Sequence, residues 1–232
     1  MDSKQKAQKT ETKIEHIESA LSRAELFIEK NQKIISGVVI GILLVVGAAF
    51  AFHRFYRVPL NEEAAAQMFH AENFFAADSM KLALNGDGNN LGFLDIIDQY
   101  GSTDAGNLAH YYAGIAYLNL GEYENAIKQL KKFSSRDALI SNIAIGAIGD
   151  ACAELGNNSD AIKYYLKAAK NRENNQTTPI YLFRAGLLLE ETGDYAKALE
   201  IYTRLEKDYP ASTEGSQAEK YITRVKIKGN LP

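Results

Sequence analysis

The chain has 232 residues, is 46% hydrophobic and 24% charged, and carries a formal net charge of −3. That balance excludes a disordered chain, a collagen and a multi-span transporter, and without a basic stripe it offers nucleic acid nothing to hold. A single cysteine, Cys152, excludes an intramolecular disulfide, and only four prolines with plentiful Ala, Leu, Ile, Glu and Lys favour helix.

Residues 1–10 are polar. From Glu11 to Gln32, apolar residues recur at Ile14, Ile17, Leu21, Ala24 and Ile28 in steps of 3, 4, 3 and 4, and Phe27 widens the stripe. An amphipathic helix is expected there. It would lie on a bilayer, dock to a cytosolic protein surface, or simply extend the next element.

Ile34 to Phe52 reads IISGVVIGILLVVGAAFAF, nineteen residues without a charge. As a helix they reach roughly 28 Å, close to the roughly 30 Å hydrocarbon core of a bilayer. Residues 34–54 are therefore expected to form a transmembrane helix. The preceding 33 residues carry thirteen charges of both signs, too long and too acidic for a secretory leader, so an uncleaved anchor is expected. Seven Lys and Arg stand before the span and only Arg54 and Arg57 just after it, which favours a cytoplasmic N-terminus. Gly37 and Gly41 form a small-xxx-small pair, compatible with a homodimer.

After Pro59 the pattern becomes short amphipathic helices with Gly, Asn and Asp turns, and the sequence repeats itself. Gly114, Tyr117, Gly121, Tyr123, Ala126 and Leu130 are echoed by Gly149, Cys152, Gly156, Ala161 and Tyr165. They are echoed again by Gly186, Leu189, Gly193, Tyr195, Ala198 and Tyr202. The starting glycines are 35 and 37 residues apart, the period of a tetratricopeptide repeat. Gly114, Gly149 and Gly186 on helix A and Ala126, Ala161 and Ala198 on helix B are expected where the two helices cross closely. Gly121, Gly156 and Gly193 are expected to end helix A in a left-handed turn. A degenerate pair, 62–84 and 91–100, is expected to precede these repeats. Its turn at 85–90 lacks the alternating carboxylates of a calcium loop. Glu214 to Lys228 should form a terminal cap.

The expected class is all-α, an N-terminal transmembrane helix followed by a tetratricopeptide-repeat α-solenoid. The expected segments are a cytoplasmic segment at 1–33, the span at 34–54 and a degenerate helix pair at 55–103. Repeats follow at 104–140, 141–175 and 176–211, then a capping helix and tail at 212–232. No catalytic, cofactor or metal motif stands out. The four histidines lack ligand spacing, and Cys152 falls on a repeat core position. No enzymatic activity and no cofactor are expected.

Repeats of this kind receive partners on the face lined by helix A. That places Tyr111, Ile115 and Asn119 of the first repeat there, Asp150 and Glu154 of the second, and Phe183, Leu187, Glu190 and Glu191 of the third. A partly apolar, acidic groove of this composition should attract basic or amphipathic unfolded segments. Residues 58–232 carry a net charge of −6, and this excess is expected on the partner-binding surface.

Just before the span, Phe27-Ile28-Glu29-Lys30-Asn31-Gln32-Lys33 resembles the aromatic-x-Glu-x-Asn-x-Lys stretch of a bacterial family of ancillary Sec-translocon subunits. Phe27, Glu29, Asn31 and Lys33 carry the match, and the span and degenerate repeats that follow extend the likeness over about residues 25 to 230. The resemblance implies a single-pass inner-membrane protein with its N-terminus in the cytoplasm and its repeats in the periplasm. It also implies a place beside the Sec translocon, with links to periplasmic chaperones and their clients. The chain departs from the family in its clearer repeats and longer N-terminal segment, which leaves room for another envelope-assembly complex. A cytosol-facing targeting receptor and a purely architectural anchor are the alternatives.

Overall fold

The computed structural model describes Phe27 and residues 29–232, so the stripe from Ile14 to Ile28 lies outside the described residues. The chain divides into a unit of residues 1–59 and a unit of residues 60–232. Among the described residues every regular element is helical.

In the first unit α1, Gln32–Phe52, runs 21 residues and buries none of them. Ahead of it, the Asn31 side-chain amide donates to the Phe27 carbonyl at 2.8 Å. A single π-helical turn, His53–Arg57, follows α1 without breaking the helical path, and there the Val58 N–H donates back to the His53 carbonyl. A helix without a polar stripe has no reason to pack on one side only.

The second unit holds α2 (Val58–Ala76, which starts just before the boundary), α3 (Met80–Asn85), α4 (Phe93–Tyr100), α5 (Asp104–Asn119) and α6 (Tyr123–Leu130). Then come α7 (Ala138–Glu154), α8 (Asn158–Asn171), α9 (Thr178–Glu191), α10 (Tyr195–Asp208), the single turn α11 (Thr213–Ser216) and α12 (Ala218–Gly229). The expected helix over 62–84 is two helices. Asp78 takes a left-handed φ of +57°. Its N–H donates to Phe75 and that of Ser79 to Phe74, a glycine-type helix stop built on an aspartate. The terminal helix is likewise broken at Gln217. The 85–90 turn is organised by Asp87, whose carboxylate accepts from the Asn89 and Asn90 N–H groups at 2.9 and 2.7 Å.

Three helix pairs, α5/α6, α7/α8 and α9/α10, share one contact. A Cβ built on Gly114 would stand 2.5 Å from Leu130, one on Gly149 2.7 Å from Tyr165, and one on Gly186 2.6 Å from Tyr202. The glycine of each first helix thus lies flat against the residue sixteen positions later. Ala126, Ala161 and Ala198 are fully buried in the second helices. Gly121, Gly156 and Gly193 close the first helices at φ of +75°, +74° and +82°, where a β-carbon is strained. Between α7 and α9 the approach is tighter still, with the Tyr181 ring over the bare Cα of Gly146.

Polar clamps fix the links between pairs. Asn107 at the start of α5 donates to the Ser134 carbonyl and accepts from its N–H. Asn142, the equivalent residue 35 positions on, is 0% exposed. Its amide donates to the Arg172 carbonyl and the Thr177 hydroxyl, each at 2.9 Å, and its oxygen accepts from Asn171. Replacing Asn142 by Leu strands these buried groups and is expected to cost about 2–3 kcal/mol. Gly146→Ala is expected to cost about 1–3 kcal/mol by overpacking against Tyr181. Gly156→Ala, with open space around it but a left-handed backbone, should cost about 1 kcal/mol. Chemical denaturation followed by helical circular dichroism checks the order.

Candidate partner-binding face

Helices α5, α7 and α9 carry the residues expected on the partner face, and spacing of seven groups them. Leu108 with Ile115, Ile143 with Asp150, and Ile180 with Leu187 each stand two turns apart on one helix face. Ile143 and Leu187 are 37% and 38% exposed, high for aliphatic side chains in a packed helical stack. Ile115 is half-buried, and Asn119 and Glu191 are open. Tyr111 is half-buried, with its ring 5.3 Å from Phe133.

The carboxylates of this face are largely engaged within the chain. Asp150 accepts from the Tyr165 hydroxyl at 2.8 Å and pairs with the Arg184 guanidinium. Burial first, and the Asp150 charge second, push the Tyr165 phenol well above its ordinary range. Burial also lifts Tyr181, beside Arg184, to about 12. Glu154 accepts from Tyr123 at 3.2 Å. Glu190 does not line open space. It is 7% exposed and held by Arg224 at 2.6 Å and Lys228 at 2.9 Å, both from α12. Phe183 is covered too, its ring 4.8 Å from Tyr221 of α12, edge to face. Sequence reasoning treated Glu190 as groove because nothing local reveals that a helix more than thirty residues later supplies its cations. Ile143, Ile180 and Arg184 also belong to these helix faces, and periodicity from Ile115 and Leu187 points to them.

The charge distribution also differs from expectation. Residues 60–107 hold eight carboxylates against Lys81, a net −7, while residues 108–232 are net +1. The acidic excess therefore belongs to the stretch holding α2, α3 and α4 and not to the face of α5, α7 and α9. Cys152 is 5% exposed, and burial raises its thiol pKa, which keeps it protonated and inert. A groove of about 630 Å³ on the other side runs between α8 and α10 past Ile162, Leu166 and Ile201, and contains none of the expected residues.

A comparison with family models matches the tetratricopeptide repeat at residues 111–176 and 147–213. No curated protein matches the chain. The chain thus carries tetratricopeptide repeats over α5 to α10, and its class is that of a protein–protein interaction scaffold. Proteins built on these repeats are generally non-enzymatic.

The Glu190 cluster sets a pH response. Burial raises the Glu190 pKa, but hydrogen bonds and charge from Arg224 and Lys228 outweigh it, and the net shift is downward from the ordinary 4.5. A carboxyl lowered by folding stabilises the fold above its unfolded pKa and loses that contribution as pH falls through the lowered value. The partners are partly solvated, so Glu190→Gln is expected to cost about 1–2 kcal/mol at pH 7. Thermal unfolding between pH 7 and pH 3.5 should show a smaller acid-side fall in the variant than in the parent chain.

Proposed function

We propose that the protein is a membrane-anchored tetratricopeptide scaffold whose repeats receive polypeptide partners outside the cytoplasm. The carrying observation is the exposed aliphatic pair Ile143 and Leu187 on successive first helices, with half-buried Ile180 two turns before Leu187. The same helices carry the internally neutralised Asp150–Arg184 pair, Asp150 on α7 with Ile143 and Arg184 on α9 with Ile180 and Leu187. A face with apolar side chains and paired charges favours apolar or amphipathic unfolded segments over strongly basic ones. Tyr111, Ile115, Asn119, Asp150, Glu154, Leu187 and Glu191 remain its proposed lining, with Glu190 and Phe183 serving beneath α12.

Anchoring rests on α1, whose length and apolar composition suit a bilayer and whose residues are all unburied. The Lys and Arg excess before it supports a cytoplasmic N-terminus. Together with the Phe27, Glu29, Asn31 and Lys33 stretch, this layout supports a role beside the Sec translocon, with secreted clients or periplasmic chaperones as partners. Residues 55–103 are proposed as a degenerate first repeat, and 212–232 as the cap. Tethering concentrates the face near membrane partners, so weak binding suffices.

Photo-crosslinkers at Ile143 and Leu187 in intact cells should capture translocating polypeptides. Ile143→Asp combined with Leu187→Asp should lower that capture at least tenfold while helicity is kept. Capture unchanged in the double variant would remove the face. An alkaline phosphatase fused to the C-terminus should be active, and inactivity would turn the repeats to the cytosol, as a targeting receptor requires.

A further inference from the structure

We propose that the His53–Arg57 turn is a binding collar for the headgroups of anionic phospholipids. The inference rests on the reading of α1 as a membrane span. Between Glu29 and Glu62 the chain has no carboxylate, so Arg54 and Arg57 set the charge at this end of the span. His53 and Arg57 stand four residues apart and Arg54 and Arg57 three, which puts the three on one side of the helix. Phe52 and Tyr56 stand on the other, their rings stacked at 5.1 Å, and Phe55 is 78% exposed. Aromatic rings of this kind settle at the boundary between acyl chains and headgroups. Guanidinium groups beside them are then at phosphate depth, where a planar fork grips phosphate oxygens in pairs.

The π-helical geometry occurs at this turn and no other among the described residues. It widens the backbone where the apolar run gives way to arginine, a feature common at functional positions. Charge argues for an anionic lipid. The segment 53–57 is net +2, whereas residues 60–107 are net −7 and repelled by an anionic surface. Each arginine near an anionic surface contributes a preference of about fivefold.

The test reconstitutes the full chain in phosphatidylcholine nanodiscs containing a spin-labelled lipid. The immobilised fraction is compared for labelled phosphatidylglycerol and labelled phosphatidylcholine. Expected is a clear preference for phosphatidylglycerol that weakens at 0.5 M salt, is reduced but kept in R54K/R57K, which holds the charge and loses the paired fork, and falls at least fivefold in R54Q/R57Q. The fall in K30Q/K33Q, which removes two charges before the span, should be smaller. Equal immobilisation of the two lipids, or a preference untouched by R54Q/R57Q, overturns the collar and leaves the span standing. Release of the chain from vesicles by alkaline carbonate overturns the span and the collar together.

Discussion

The repeat unit depends on one approach distance. In α5, α7 and α9 a glycine replaces the side chain that would keep the following helix away, and Leu130, Tyr165 or Tyr202 lies across the gap. Dispersion falls steeply with separation, so two helices gain most when backbone meets side chain directly. The buried alanines at 126, 161 and 198 serve the same closeness from the partner helix. Once each pair is fixed at that distance, the next can stack only where its own aromatics find room. The Tyr181 ring over Gly146 is such a place, a second glycine accommodating a residue from the neighbouring pair. The exposed face of the first helices is a consequence of this stacking. Side chains that do not enter a pair, such as Ile143 and Leu187, are left in register along it.

Much of the fold was legible because the approach requires particular residues at particular intervals. Glycine at 114, 149 and 186 and alanine twelve positions later leave a mark in the primary chain, as does an uncharged run long enough to cross a bilayer. What stayed hidden has a common physical origin. The stop at Asp78 uses an aspartate in a conformation normally reserved for glycine, so no residue type announces it. Asn107 and Asn142 stand seven residues before Gly114 and Gly149, a match the third unit breaks with Pro179. Yet a polar residue at the start of a helix reads as solvent-facing until the loop it clamps is seen to cover it.

The electrostatics of the candidate face was not legible in the sequence. Carboxylates at 150, 154, 190 and 191 read as an acidic groove when counted alone. In space Asp150 meets Arg184, and Glu190 meets Arg224 and Lys228. These partners are 34 to 38 residues away, about one repeat, which is the separation that stacking brings together. Charge in a repeat protein therefore needs to be read across neighbouring units, since the cation that neutralises a site belongs to the next one.

The segment after α10 follows the same logic. After α10, the Ser212 hydroxyl caps α11 by accepting from the Gly215 N–H, as Thr103 caps α5 by accepting from Gly106. Both glycines lie against the carbonyl of a tyrosine that closes the preceding helix, Tyr209 and Tyr100. The chain thus begins α11 and α12 as it begins a further first helix, with Tyr221 set against Phe183 and Tyr202. The exposed residues of α12 include Lys220, Thr223 and Ile227. Glu190 fastens that helix through Arg224 and Lys228, as Asp150 and Arg184 join α7 to α9 one unit earlier.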